Sequence, residues 1–294
     1  MSTTSTASTP YRPDMTDAGL EASQAVTAVD EFGQPREGHI ACERPLTIYL
    51  DKREIVTLMT LGTHPELLIL GWLRNQRFIH NLADIHALQV DWETDSVAVT
   101  TRNGIEGLEK KLSKKTVTTG CGQGTVFGSL MDDIEKIRLP EISIKQSTLY
   151  SLLQALNEHN EIYRRAGAVH GCALCTPNEI QLFVEDVGRH NAVDAIAGHM
   201  WLQDMSGHDK VFYTTGRLTS EMVIKVAQMG IPLLLSRSGI TQMGLDLARQ
   251  VGVTLIARAK GKHFLVYNGA ENISFDAVPE TVDQRRKGAS KNSS

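Results

Sequence analysis

One cysteine stands in a sequence context that favours chemistry over packing. Cys121 lies in residues 118–128, which contain four glycines, and glycine permits positive φ angles and a freely moving backbone. Five lysines lie nearby in sequence, at positions 110, 111, 114, 115 and 136. Positive charge favours the thiolate, which is the nucleophilic form of cysteine. The residue types therefore predict a reactive thiol suited to carrying sulfur, with an inert turn cysteine as the alternative.

Three later segments combine cations with small residues. Residues 214–217, 236–239 and 258–263 each follow or end a predicted strand, and ligands of α/β sheets bind beyond the carboxyl ends of the strands, where helix N-termini also point. The three segments together predict a pocket for phosphate or pyrophosphate, whereas for any one of them alone a solvated turn is the better interpretation. The candidate binding residues are Arg217, Ser236, Arg237, Arg258, Ala259, Lys260, Gly261, Lys262 and His263.

A dense polar stretch, Glu-Asp-Val-Gly-Arg-His-Asn at residues 185–191, also follows a strand and opens a helix. Taken alone, it fits a site and a helix start equally well, because Asp186 can be a turn acid and His190 or Asn191 a helix cap. Beside the predicted anion pocket, we interpret it as functional.

A zinc site is the competing interpretation of the remaining thiols. Zinc deaminases combine His-x-Glu with Pro-Cys-x-x-Cys, and this chain has His64 and Glu66 together with Cys172 and Cys175. No proline precedes Cys172, however, and the two halves lie about a hundred residues apart in what look like different lobes. The odd spacing of two cysteines on one strand sends their side chains to opposite faces. We therefore predict two structural cysteines and no metal site.

The elements that must position these residues follow from hydrophobic periodicity. Alternation predicts a hairpin over residues 46–59, and Thr63 with Pro65 predicts the start of a helix. From Ser147 onward, helices and strands alternate, which predicts a layered α/β sheet with parallel neighbours. The fold class is therefore α/β, with an α+β lobe at residues 41–140 that carries a mobile loop at 116–128, and an α/β domain at residues 141–280. Residues 1–40 and 281–294 predict a disordered leader and a disordered basic tail.

Composition narrows the function classes. Hydrophobic residues make up 41% of the 294 residues, and 30 basic residues face 34 acidic ones, which is typical of a globular protein and gives no bulk charge for binding nucleic acid. No apolar stretch approaches the roughly 20 residues that a membrane-spanning helix needs, and the N-terminus lacks the features of a signal peptide. We expect a cytoplasmic protein without nucleic-acid or membrane partners.

Together these stretches resemble a known family. Cys121 in its glycine loop and residues 185–192, 215–217, 220–222 and 231–238 are similar to FdhD, the formate dehydrogenase accessory sulfurtransferases. The similarity runs from about residue 44 to residue 268. It implies a homodimer whose C-terminal domain has a three-layer, cytidine-deaminase-like fold without deaminase chemistry.

The resemblance also implies a reaction. Family members accept sulfur from a cysteine desulfurase as a persulfide and pass it to the molybdenum (or tungsten) bis-molybdopterin guanine dinucleotide cofactor, before that cofactor enters the formate dehydrogenase catalytic subunit. Carried over by position, Cys121 matches the persulfide cysteine, and residues 258–263 match the cofactor-binding segment, where a guanine nucleotide can mimic the cofactor. Gly124 stands where many members have a second cysteine, which leaves Cys121 to act alone or with Cys172 or Cys175. The alternative function is a cofactor-binding chaperone whose loop thiol is incidental.

Overall fold

The computed structural model describes residues 11–105, 116–117, 124–125 and 137–278. Cys121, the five lysines near it, residues 1–10 and the predicted basic tail lie outside the described residues. Two short strands on either side of Cys121 in the sequence, β8 (Thr116–Val117) and β9 (Gly124–Thr125), pair in antiparallel fashion.

A five-stranded sheet forms the centre of the N-terminal region, in the order β1-β6-β7-β4-β5. The predicted hairpin is confirmed, and the helix after it begins at Pro65, as predicted, although His64 rather than Thr63 is the capping residue. The bounds are β1 (Asp14–Met15), β2 (Ser23–Val29), β3 (Pro35–Ala41), β4 (Arg44–Leu50), β5 (Arg53–Thr60), α1 (Pro65–Asn75), β6 (Ile85–Asp91) and β7 (Ser96–Thr101).

A six-stranded sheet forms the C-terminal region, in the order β12-β11-β13-β14-β15-β16, with β13, β14 and β15 parallel. The bounds are β10 (Ile144–Lys145), α2 (Gln146–Glu158), α3 (Glu161–Ala166), β11 (His170–Cys175), β12 (Ile180–Asp186), α4 (Arg189–Leu202), β13 (Val211–Thr214), α5 (Ser220–Gln228), β14 (Leu233–Ser236), α6 (Gln242–Val251), β15 (Thr254–Lys260), β16 (His263–Asn268) and β17 (Ile273–Ser274).

The C-terminal sheet is buried on both faces. Phe212 and Leu234 share a core with α4, α5 and α6, whereas Tyr213 and Leu235 share a second core with α2. This alternation follows from the two-residue period of strands, and it produces three layers. The predicted α/β fold class is confirmed.

The two regions share one apolar core, in which α1 packs directly on α4. Glycines allow this close contact, since a Cβ on Gly71 would lie 1.7 Å from the carbonyl oxygen of Asp194, and one on Gly198 would lie 2.0 Å from that of Leu67. The sequence interpretation treated the regions as separate lobes, but their packing depends on this helix crossing.

The predicted disordered leader differs from the structure over residues 11–40. β1 pairs with β6, β2 pairs with β3 along its whole length, and the Tyr11 hydroxyl donates to the carbonyl of Ile85 at 2.6 Å. The Thr16 hydroxyl donates to Glu66 at 2.7 Å. Low apolar content suggested disorder, whereas backbone pairing and polar contacts with distant residues order the segment.

Candidate functional site

The edge of the C-terminal sheet that carries the predicted binding residues is built on buried hydroxyls at two strand ends. Thr214 accepts from the N–H of Gly216 at 3.0 Å, and Ser236 donates to the carbonyl of Gly216 at 2.7 Å. Ser236 also accepts from the N–H of Ser238 at 2.9 Å. Both hydroxyl residues are fully buried. They fix the turns that carry Arg217 and Arg237.

One cavity of about 580 Å³ opens between the end of the sheet and one face of α2. Arg237, Lys260 and Lys262 supply its positive charge, and Tyr213 supplies an aromatic surface. The other lining residues are Tyr150, Ser151, Leu153, Gln154, Asn157, Glu158, Ala259 and Gly261.

A second cavity, of about 460 Å³, lies on the other side of Arg237. It contains two more cations, Arg217 and Arg258, together with Ser238, Gly239, Ile240 and Thr241. Thr241 caps α6, since its hydroxyl accepts from the N–H of Gly244 at 3.2 Å, and the N-terminus of this helix adds partial positive charge. Thr219, which precedes α5, makes no side-chain capping bond to that helix.

An irregularity in β15 directs its cations into different cavities. The register with β16 shifts between Ala257 and Lys260, and Arg258 adopts a positive φ of 54°. Its N–H donates to the carbonyl of Ser238 at 2.9 Å. As a result, Arg258 lines the second cavity and Lys260 the first.

Positive charge is concentrated around these cavities. Arg217, Arg237 and Arg258 form no ion pair with any carboxylate in the described part of the chain, although the Arg237 guanidinium lies over the ring of Tyr163 at 5.5 Å. Burial lowers the pKa of His170, and Arg189, Arg217 and Arg237 lower it further. We refer to Arg217, Arg237, Arg258, Lys260 and Lys262 as the cationic edge.

The structure thus brings together most of the predicted binding residues. Seven of them line the two cavities: Arg217, Arg237, Arg258, Ala259, Lys260, Gly261 and Lys262. Ser236 lies beneath the site as a buried structural hydroxyl, and His263 is exposed and lines neither cavity.

The polar stretch at 185–191 is mainly a buried connection between the two regions. Asp186 accepts from the Thr60 hydroxyl at 2.6 Å, the N–H of Leu61 at 3.1 Å, the N–H of Gly188 at 3.0 Å and the Asn191 amide at 2.7 Å. This network leaves little capacity for a ligand, so the functional interpretation of Asp186 and Asn191 gives way to a structural one.

The same connection continues along α4. Lys225 donates to both oxygens of Asp194 at 2.8 and 2.7 Å, and Asn75 donates to Asp194 at 2.7 Å. His190 Nε2 lies 3.0 Å from Glu221, and burial lowers the pKa of His190. We refer to Thr60, Asn75, Asp186, Asn191, Asp194 and Lys225 as the buried joint.

The two cysteines of β11 are enclosed. Cys172 and Cys175 are fully buried in different cores, so they face opposite sides of the sheet, as predicted, and burial raises the pKa of each thiol to about 12. Within the described residues, no three His, Cys, Asp or Glu side chains are grouped as metal ligands. No helix in the described part of the chain is long and apolar enough to cross a membrane.

The sequence interpretation missed the contribution of α2 to the first cavity. Tyr150, Gln154 and Asn157 lie at helical spacing on a face beside the one that carries the buried Leu149, Leu152 and Leu156. That polar face could have been recognised from its periodicity, but nothing local indicated that it faces the end of β15.

Comparison with known proteins supports the fold and identifies the family. The sequence model described as the FdhD/NarQ family matches residues 41–274. The chain is 31% identical to the sulfur carrier protein FdhD of Geobacillus kaustophilus (strain HTA426) over 81% of its own length and 90% of the relative. It is 29% identical to the sulfur carrier protein FdhD of Bacillus subtilis (strain 168), over 84% of this chain and 98% of that one.

A solved structure shows the same similarity. The crystal structure of a protein assigned as a formate dehydrogenase accessory protein, from Desulfotalea psychrophila, superposes with a TM-score of 0.69 at 29% identity. The match covers 86% of this chain and 98% of that one. Because the family model spans most of the sequence, this chain belongs to the FdhD/NarQ family.

Proposed function

We propose that this chain is a sulfur carrier that supports formate dehydrogenase, with Cys121 as the carrying residue and the two cavities of the cationic edge as the receiving site. The observation that carries the proposal is a pair of cation-lined cavities in a member of this family, whose relatives include proteins named sulfur carriers. The substrate that receives the sulfur is the molybdenum (or tungsten) bis-molybdopterin guanine dinucleotide cofactor.

The loading step is a thiol exchange at sulfur. The Cys121 thiolate attacks the terminal sulfur of a desulfurase persulfide, the old S–S bond breaks, and the desulfurase thiolate leaves. Cys121 then carries the persulfide and its proton, without net oxidation. In delivery, the S–S bond breaks with its electron pair remaining on Cys121 as the thiolate, and the receiving substrate supplies the electron pair of the new bond to the terminal sulfur. The buried thiols of Cys172 and Cys175, with pKa values raised to about 12, are poorly suited to assist either step.

The residues of the cavities fit an anionic dinucleotide. Arg237, Lys260 and Lys262 can pair with phosphate oxygens, and Gly261, with a positive φ of 58°, allows a tight turn between the two lysines. Tyr213 and the polar face of α2 offer stacking and hydrogen-bonding groups for a base. Arg217 and Arg258 extend the same charge into the second cavity.

Mass spectrometry after incubation with a cysteine desulfurase and free cysteine tests the carrier role. We expect one added sulfur on Cys121 in the native chain and none in Cys121→Ala, which should also abolish formate dehydrogenase maturation. Cys42→Ala is the matched control, because Cys42 is a partly exposed thiol in the N-terminal region. Full dehydrogenase activity in a Cys121→Ala strain would favour the cofactor-chaperone alternative.

Nucleotide titration tests the receiving site separately. GDP should bind the native chain, and Lys260→Gln with Lys262→Gln should weaken this binding by about tenfold or more, since each lost charged hydrogen bond costs about 1.5–3 kcal/mol. Lys145→Gln removes an exposed charge that lines neither cavity and should leave the affinity unchanged. Equal GDP affinity in all three proteins would contradict the assignment of the lysines.

A further inference from the structure

Arg189 is a buried cation whose charge is left uncompensated. The residue is 6% exposed, and its Nε atom has no hydrogen-bond partner. In the described part of the chain, no carboxylate forms an ion pair with it. Its side chain lies against Gly216, where a Cβ would come within 2.6 Å of the Arg189 Cδ atom. Packing on Gly216 therefore holds the aliphatic part of the side chain, and the Nε–H of the guanidinium is left without an acceptor among the described residues.

A buried charge without a partner destabilises the folded chain. Burial of an unpaired charge costs several kcal/mol, and the neighbouring charges of the buried joint avoid this cost. Asp186 accepts four hydrogen bonds, and Asp194 is paired with Lys225. The contrast within one short stretch shows that, among the described residues, these acids have partners and Arg189 has none.

The surroundings of Arg189 are suited to an anion. Gly216, on which its side chain rests, immediately precedes Arg217 in the turn after β13. The Ser236 hydroxyl donates to the carbonyl of the same Gly216 at 2.7 Å, and Ser236 immediately precedes Arg237, so adjoining turns carry Arg217 and Arg237 beside the Arg189 side chain. Arg189 is also the first residue of the 14-residue helix α4, so the helix N-terminus adds partial positive charge.

We propose that Arg189, Arg217 and Arg237 form an oxyanion-binding site for a phosphate or pyrophosphate group. Three guanidinium groups and a helix N-terminus favour a multiply charged anion over a single carboxylate, and guanidinium pairs with phosphate through two parallel hydrogen bonds. Arg237 connects this site with both cavities. If the group belongs to a nucleotide, the site deepens the proposed function by naming where a phosphate of that substrate binds.

Arg189→Met in the full-length chain tests the site, because methionine keeps the packing on Gly216 and removes the charge. Calorimetric titration with inorganic pyrophosphate and with GDP should show affinities weaker by about tenfold or more, the loss expected for one charge-assisted pair. Without ligand, the variant should melt at the same or a higher temperature than the native chain, since an uncompensated charge is gone. A purely structural arginine would instead lower the Tm and leave both affinities unchanged.

Two further variants keep the test decisive if Arg189→Met does not fold. Gly216→Ala leaves every charge in place but displaces the Arg189 side chain, so it should weaken pyrophosphate binding as well. Arg249→Met, on the exposed side of α6, is the matched control and should bind both ligands like the native chain. Native pyrophosphate affinity in Gly216→Ala would overturn the proposal.

The titrations distinguish the source of the anion, and together with the persulfide measurement they test the site and the proposed function separately. Tighter binding of GDP than of pyrophosphate supports a site for nucleotide phosphate, and equal binding supports a site for the free anion. No binding of either ligand to the native chain overturns the site. If Cys121 still acquires a persulfide in that case, the sulfur-carrier function is supported and only the anion site is rejected. If the native chain binds the anion but Cys121 acquires no persulfide, the anion site is supported and the sulfur-carrier function is rejected.

Discussion

The cationic edge and the buried joint both contain charged residues, but they differ in whether those charges have partners. In the joint, Asp194 is fully buried and contacts both Lys225 and Asn75. At the edge, Arg217 and Arg258 are exposed and have no carboxylate partner among the described residues. The paired charges of the joint connect the two regions, whereas Arg217 and Arg258 are available to a ligand. The residue types alone do not distinguish these roles, but their partners do.

Removing an anion from the joint should have the largest effect. Asp194→Ala leaves the ammonium of Lys225, which is 4% exposed, buried without its partner. Breaking a buried pair on one side typically costs about 3–5 kcal/mol, so the free energy of unfolding in urea should fall by that amount. Asp246→Ala is the control, because Asp246 is an exposed carboxylate on α6, where substitutions usually change stability by less than about 0.5 kcal/mol. Similar losses in both variants would mean that the joint is not a stabilising element.

A hydroxyl of the joint should matter less than a charge. Thr60→Val keeps the shape of the side chain but removes the 2.6 Å hydrogen bond to Asp186. A hydrogen bond to a charged group contributes about 1.5–3 kcal/mol, and urea denaturation should show a loss in this range. Thr57→Val, which removes an exposed hydroxyl pair with Thr47, should change stability by less than about 0.5 kcal/mol. Equal effects at the two positions would contradict the assignment of Asp186 as a connector.

His190, which precedes the joint residue Asn191 in sequence, should also make the fold sensitive to acid. Burial lowers the pKa of His190 below its ordinary value of 6.5, so the unfolded chain takes up a proton at a pH where the folded chain does not. Stability is therefore fully present above pH 6.5 and is lost as the pH falls toward the folded pKa, at a slope of at most about 1.4 kcal/mol per pH unit for one histidine.

Two variants isolate that contribution. His190→Gln should reduce the loss of stability between pH 7.5 and pH 5.5 when urea denaturation is compared at the two values. His86→Gln, at an exposed position of β6, should show the same loss as the native chain. His64, His170 and His199, whose pKa values burial also lowers, account for the acid sensitivity that remains. An unchanged slope in His190→Gln would remove this histidine from the explanation.

The sequence could predict the features that depend on residues close together in the chain. Strands, helices and the C-terminal cap at Gly252, with a φ of 81°, follow from local patterns of apolar residues and glycine. The cationic segments after β13 and β14 could be placed at one edge because parallel strands end together. These inferences required only near neighbours in sequence.

Partners distant in sequence decided the rest. Thr60 and Asp186 are 126 residues apart. No local pattern indicates that the hydrogen-bonding capacity of Asp186 is used within the fold, whereas Arg189 has no partner among the described residues. The order of residues 11–41 likewise depends on pairing with β6 and on contacts with Glu66. In both cases the sequence supplied the polar groups, and only the fold determined which of them meet.

The smallest effect should come from the backbone of the cationic edge. Arg258 has a φ of 54°, a conformation that costs an L-residue about 1–2 kcal/mol but costs glycine little. Arg258→Gly and Arg258→Ala both remove the charge, so their difference isolates the backbone, and the glycine variant should be more stable by about 1 kcal/mol in urea. Equal stabilities would show that this conformation carries no strain. A side chain at a strained position weakens the fold. A glycine variant that is more stable but binds GDP more weakly would therefore show that Arg258 serves the ligand, whereas the residues of the joint serve stability.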